Sequence, residues 1–232
     1  MSGGLKKSTI LLSKSTNFKM AEIIPAILAT DFKTVAERLR LIDGAVQWAQ
    51  IDVTDGVFAP GVTWNDSVEL EKIKHGLKLE VHLMVEDPEG DIGAWCKKAR
   101  RIIIHHESGG RLEEMFSLIK RCGVEVGIAL LSKTTLDVLD FYIGQIDVVQ
   151  LMGIAEIGAQ GHTFDAGVIE RIKILRAKYP DVKITVDGGV SLENASRLLE
   201  AGADNLVVGA AVWRSTDPIR TIHQFQNLLP KT

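Results

Sequence analysis

Eight times between Glu22 and Ala211 a short apolar run gives way to a stretch with helical spacing, and this alternation restricts the fold more than any other feature. The runs are Glu22–Ala29, the opening of the stretch Trp48–Pro60, Leu79–Val85, Arg101–Glu107, Glu125–Leu131, Asp147–Ile154, Lys183–Val190 and Asn205–Ala211. Runs that are apolar throughout are the mark of parallel strands covered on both faces. Asp31 stands where a helix cap belongs, ahead of Val35, Leu39 and Ile42 on one face. Helical stretches are expected at Ser67–His75, after Pro88, at Arg111–Cys122 before Gly123, and at Thr135–Ile143. Others are expected at Ala166–Tyr179, Ser191–Ala201 and Pro218–Leu229. Strand–helix units in this number, in a chain of 232 residues, predict an α/β fold, a single (β/α)8 TIM barrel. A doubly wound open sheet would place its glycine-rich phosphate loop after the first strand. That position reads Ala29-Thr30-Asp31, and the glycine turns come late instead.

Residues 21–232 read as one barrel domain. Residues 1–20 read as a flexible leader or a short extra strand: they are rich in Ser, Thr and Lys and carry no acidic residue. Ile10-Leu11-Leu12 is too short for a secretory core of roughly 7–15 residues, and the segment lacks the arginines of a transit peptide. A net charge of −3 argues against nucleic acid and anionic membranes as partners. No apolar run approaches the ~18 residues of a membrane span. A cytoplasmic protein with a small-molecule partner is expected. Cys96 and Cys122 lie in helical stretches without metal-ligand spacing, so reduced thiols are expected rather than a disulfide.

The chemistry-bearing residues fall at the ends of runs. Asp52 interrupts the second, and a carboxylate in a buried strand is costly unless a metal, a cation or several donors meet it. Asp187 ends the seventh run, His82 lies in the third, and His105 and His106 end the fourth. Side chains alternate along a strand, so only one of the latter pair can face inward. In a barrel these ends share one cavity. Two carboxylates from distant strands can flank a small substrate, one removing a proton beside a carbonyl and the other returning one to the opposite face. A divalent metal held by Asp and His would stabilise the resulting enediolate. Asp187-Gly188-Gly189 and Gly209-Ala210-Ala211 are turns that let backbone N–H groups approach a phosphate. Gly158 and Gly161 can add a flap over the same group. Met84 and Met152, close to strand ends, are core residues or pocket lining. His162 reads as a plain loop residue and Glu107 as a brace for neighbouring backbone.

Taken together, Pro25-Ala-Ile-Leu-Ala-Thr-Asp-Phe32, Ile51-Asp-Val-Thr-Asp-Gly-Val-Phe-Ala-Pro60, Val81-His-Leu-Met-Val85, His105-His-Glu107, Val186-Asp-Gly-Gly-Val190 and Val208-Gly-Ala-Ala211 resemble ribulose-phosphate 3-epimerases. The resemblance implies a ribulose-phosphate-binding barrel that interconverts D-ribulose 5-phosphate and D-xylulose 5-phosphate, a step of the pentose phosphate pathway. It implies Asp52 and Asp187 as the acid–base pair, and a divalent metal (zinc, iron, manganese or cobalt) on Asp52, His82, Asp187 and the position of Gln50. Gly188, Gly189, Gly209 and Ala210 would hold the phosphate, while His82, Met84 and Met152 would lie at the sugar. A homo-oligomer is implied as well.

The departures are specific. The family has a metal-ligating His where Gln50 stands, so metal binding is expected to be weakened or lost. Ala26 replaces a substrate-holding Ser, Thr54 a Met, and Leu131-Ser132 an Asn-Pro. The usual Asn-Pro-Gly-Phe-Gly-Gly-Gln flap reads Ala155-Glu-Ile-Gly-Ala-Gln-Gly161. These changes keep open an epimerase for another ketose phosphate, or a catalytically impaired phosphosugar-binding barrel. Barrels that act as 3-keto-gulonate-phosphate decarboxylases or hexulose-phosphate synthases carry Asp-x-Lys-x-x-Asp on the second strand, and Thr54 stands where the Lys would be.

Overall fold

The computed structural model describes residues 21–159 and 161–230. The expectation of a leader or extra strand at 1–20 lies outside the described residues. Eight parallel strands close into a barrel in sequence order: β1 (Glu22–Ile27), β2 (Trp48–Thr54), β3 (Lys78–Met84), β4 (Arg101–His105), β5 (Glu125–Leu130), β6 (Val148–Met152), β7 (Lys183–Asp187) and β8 (Asn205–Val208). Strand β8 pairs back onto β1, so no edge is left open. Among the described residues seven α-helices pack outside: α1 (Phe32–Ile42), α2 (Glu89–Trp95), α3 (Leu112–Arg121), α4 (Gly167–Lys178), α5 (Ala195–Ala201), α6 (Ala210–Trp213) and α7 (Pro218–Gln226). No helix among the described residues is long and apolar enough to cross a membrane.

Local chemistry accounts for the element ends. Asp31 caps α1 by accepting the Thr34 N–H at 2.9 Å, and Asp217 accepts from Arg220 N at 3.0 Å at the start of α7. The helical stretches expected at Ser67–His75 and Thr135–Ile143 are instead short 3-10 helices, Ser67–Lys72 and Leu136–Phe141. Each connector is six residues long, a length at which the tighter winding is common.

Strand alternation divides the barrel cleanly. Ile51 and Val53, Val81 and Leu83, and Ile102 and Ile104 face outward into the apolar layer beneath the helices. Their neighbours Gln50, Asp52, Glu80, His82, Arg101 and His105 are buried and face the barrel interior. Parallel register sets Asp52 beside His82, and Met152 beside Asp187. The C-terminal strand ends therefore bring residues far apart in sequence to one level.

The cysteine expectation needs correction. Cys96 and Cys122 are joined as a disulfide, with Cα atoms 5.8 Å apart. Each residue follows the last turn of its helix, α2 or α3, in adjacent units of the barrel. Sequence spacing could not show that the two helix ends meet.

Candidate active site

Asp52 and Asp187 leave the ends of β2 and β7 and line the same pocket. They meet through Gln50, whose Nε2 donates to Asp52 Oδ1 and to Asp187 Oδ2, both at 2.8 Å. His82 lies behind the pair, with Nδ1 3.4 Å from Asp52 Oδ1 and 3.2 Å from Asp187 Oδ2. Gln150 on β6 donates to Asp187 Oδ2 at 3.0 Å. The two carboxylates thus converge on one small volume from strands separated by β1 and β8. His82 and Gln50 are fully buried beneath it and do not line the pocket.

Electrostatics follow from burial and pairing. Burial, together with the charge of Asp187, raises the Asp52 carboxyl above its ordinary range, against the hydrogen bonds of His82 and Gln50. Burial lowers the basicity of His82, but the Asp187 and Asp52 carboxylates outweigh it and raise the ring to about 9. His105 goes the other way: burial and the nearby charge of His82 lower it to about 4, despite Glu107.

Of the two histidines ending the fourth run, His105 faces inward, with Nε2 2.9 Å from His82 Nε2. His106 faces outward, its ring 5.9 Å from that of Tyr142. Glu107 does brace backbone, accepting from Leu131 N at 3.0 Å and from the Thr134 hydroxyl. It also takes His105 Nδ1 at 3.2 Å, a contact the sequence reading did not contain. Gln150 was missed outright. Its signal was present: one amide in the otherwise apolar run Val148-Val149-Gln150-Leu151-Met152.

The rest of the pocket is built from small and apolar groups. Gly188 and Gly189 follow Asp187 with φ of 98° and 68°, a backbone form that side chains rarely tolerate. A Cβ on Gly188 would lie 2.7 Å from Ile154. Gly158, Gly161, Gly209 and Ala210 line the same pocket, as do Met84, Met152, Ala26 and His162. No lysine or arginine lines it among the described residues. His162 is therefore part of the pocket wall rather than a plain loop residue.

Asp52, His82 and Asp187 also offer one ligand atom each, all within 4.8 Å of one another, and so could hold a divalent metal. Two neighbouring buried oxygens, Gln50 Oε1 and Gln150 Oε1, have no hydrogen-bond partner among the described residues. Two carboxylates and an imidazole are a donor set suited to such an ion, and both amides, which now face the acids through their NH2, have an oxygen free to turn toward it.

Fold and site together define a (β/α)8 barrel in which two carboxylates, from β2 and β7, line one pocket. Similarity in structure agrees at the level of fold. The crystal structure of 3-hexulose-6-phosphate synthase from Salmonella typhimurium superposes with a TM-score of 0.69 at 14% identity, over 89% of this chain and 97% of that one. Phosphoribosyl anthranilate isomerase from Thermococcus kodakaraensis gives 0.64 at 17% identity, over 90% and 98%. Sequence similarity is narrower. Ribulose-phosphate 3-epimerase of Bacillus subtilis is 33% identical over 215 residues, covering 89% of this chain and 99% of the relative. The Schizosaccharomyces pombe enzyme of that name is 31% identical, covering 91% and 95%. Residues 22–213 match the ribulose-phosphate 3 epimerase family, and the chain belongs to it.

Proposed function

We propose that this chain epimerises D-ribulose 5-phosphate and D-xylulose 5-phosphate at C3. The observation that carries the reading is the meeting of Asp52 and Asp187, each 2.8 Å from one amide nitrogen and both open to the pocket. In this reading Asp52 removes the C3 proton, the electron pair moves into an enediolate, and Asp187 returns a proton to the opposite face. The reverse reaction exchanges the roles. The raised Asp52 carboxyl makes it a stronger base toward the C3 proton than an exposed carboxylate would be.

Gly188, Gly189, Gly209 and Ala210 would take the phosphate through backbone N–H groups, under the loop that carries Gly158 and Gly161. Met84 and Met152 would exclude water around the reacting carbons.

A divalent metal on Asp52, His82 and Asp187 would supply Lewis-acid stabilisation of the enediolate oxygens. Gln50 meets both carboxylates through its NH2, so its amide must turn to offer Oε1 as a ligand. A neutral amide oxygen is a poorer donor to zinc or iron than imidazole, so weaker metal retention is part of this reading. Residues 21–232 would act as one barrel domain, in a cytoplasmic homo-oligomer.

The test couples xylulose 5-phosphate formation to a downstream enzyme, with and without added zinc, manganese or iron. Turnover that needs Asp52 and Asp187 is the expected result. Phosphosugar affinity without turnover would leave only a binding barrel.

A further inference from the structure

One nitrogen of His82 meets the two carboxylates; its other nitrogen faces a buried chain with no assigned purpose. His82 Nε2 lies 2.9 Å from His105 Nε2, His105 Nδ1 lies 3.2 Å from Glu107 Oε2, and Glu107 Oε1 accepts from Leu131 N at 3.0 Å and from Thr134. Both imidazoles are fully buried and nearly parallel, with centroids 5.0 Å apart at 25°. Proton positions along this chain are constrained. Despite burial, hydrogen bonds, among them those from Leu131 N and Thr134, hold the Glu107 carboxyl down at about 2; ionised, it can only accept, which places the proton of His105 on Nδ1. A neutral His105 then has a bare Nε2. The contact between the two Nε2 atoms needs one proton, and only His82 can supply it. His82 Nδ1 is left as the atom presented between Asp52 and Asp187.

We propose that Glu107 and His105 are positioning residues that set the tautomer and ring orientation of His82, so that Nδ1 is its metal-binding atom. This rests on the reading that Asp52, His82 and Asp187 hold a divalent ion. A ligating histidine usually donates its second N–H to a fixed acceptor, and loss of that acceptor commonly lowers metal affinity 10–100-fold. Here the acceptor is itself a histidine, held in register by a carboxylate two residues further along the same chain. The spacing His105-x-Glu107 serves that purpose, since the turn that follows β4 brings the Glu107 carboxylate back to the His105 ring.

Two measurements on the full chain decide the matter. The first is the ring 15N spectrum of protein with and without zinc. It should show the proton of His105 on Nδ1 in both states, and that of zinc-loaded His82 on Nε2. A proton on His105 Nε2 in either state overturns the proposal. The second is zinc affinity by competition with a chelator. His105→Phe, which keeps an aromatic ring beside Phe58, should bind zinc about 10–100-fold less tightly. His105→Gln, whose amide oxygen can accept from His82, should recover most of that loss. Equal affinity in His105→Phe and wild type, or equal losses in the two variants, overturns it. If His105→Phe does not fold, Glu107→Gln replaces it. That variant should bind zinc less tightly and show His105 with a changed ring-proton position; unchanged values overturn the proposal. A wild type that takes up no zinc removes the metal reading. The ring assignment of the metal-free protein then decides this inference alone.

Discussion

At the N-terminal end of the barrel, Arg101 is 1% exposed and lies 4.3 Å over the Trp48 ring. Its Nη1 meets Glu80 Oε2 at 2.5 Å and its Nη2 meets Glu125 Oε2 at 2.6 Å. At the C-terminal end, two residues further along β3 and four along β4, stand His82 and His105. Both ends bury charge on the same strands. Below, a permanent cation is clamped by two acids and filled over by an indole. Above, two acids face each other across a pocket, with a histidine and two amides beneath them. The lower cluster pairs its cation with both acids, although Glu80 Oε1 has no partner among the described residues; the upper one keeps its carboxylates open to the pocket and leaves two amide oxygens unmatched. Damage below should cost stability, and damage above should cost turnover.

The largest expected effect comes from above. Asp52→Asn removes a proton acceptor of the same shape, and kcat should fall by about 10³, within the usual range for a positioned acid or base. Melting temperature and phosphosugar affinity should change little. Retained turnover in a coupled assay would remove Asp52 from the acid–base pair. Below, Arg101→Met leaves Glu80 buried without its partner, and should destabilise the fold by about 3–5 kcal/mol in denaturant titration. Adding Glu80→Leu to it should recover much of that loss, because the uncompensated charge is gone. In both variants kcat per folded molecule should stay near wild type. A large fall in kcat from the lower cluster would break the division between the two ends.

A smaller effect is expected where the chain departs from its family. Gln50→His exchanges a neutral amide for an imidazole between the same carboxylates, and zinc affinity should rise about tenfold or more. Chelator competition reads this directly. No rise would mean that the Gln50 amide is not what limits metal binding.

The sequence carried the upper end better than the lower. Asp52, His82 and Asp187 stood out because a polar residue in an apolar strand needs a reason, and a barrel gathers strand ends. The late glycine turns were legible for the same topological reason. Gln150 obeyed the same rule and was passed over, because an amide carries no charge to draw the eye. The choice between His105 and His106 needed the start of β4, since a shift of one residue exchanges their faces. The cluster of Arg101, Glu80 and Glu125 was not legible, because each residue sits near a strand start and reads there as an ordinary surface charge. The disulfide between Cys96 and Cys122 depended on two helix ends meeting, which no spacing encodes.

The smallest effect separates the two ends by pH. Burial alone would raise Glu107, but hydrogen bonds from His105, Thr134 and Leu131 N bring it down from 4.5 to about 2. A carboxylate lowered in the folded state contributes stability that is complete above its unfolded value. That contribution is lost as pH falls from about 4.5 toward 2. Glu107→Gln cannot titrate, so its stability should fall less steeply than wild type across that window. After solvent screening the difference should be on the order of 1 kcal/mol. The comparison is made in chelator, so that metal release does not add to the slope. Glu80 serves as the contrast, because burial raises it in the folded state even against Arg101. A group shifted that way holds its proton more tightly when folded, so its own titration favours the fold as pH falls. Identical acid slopes for wild type and Glu107→Gln would mean that the upper network holds no carboxylate worth more folded than unfolded. The two ends would then differ in geometry but not in how they store charge.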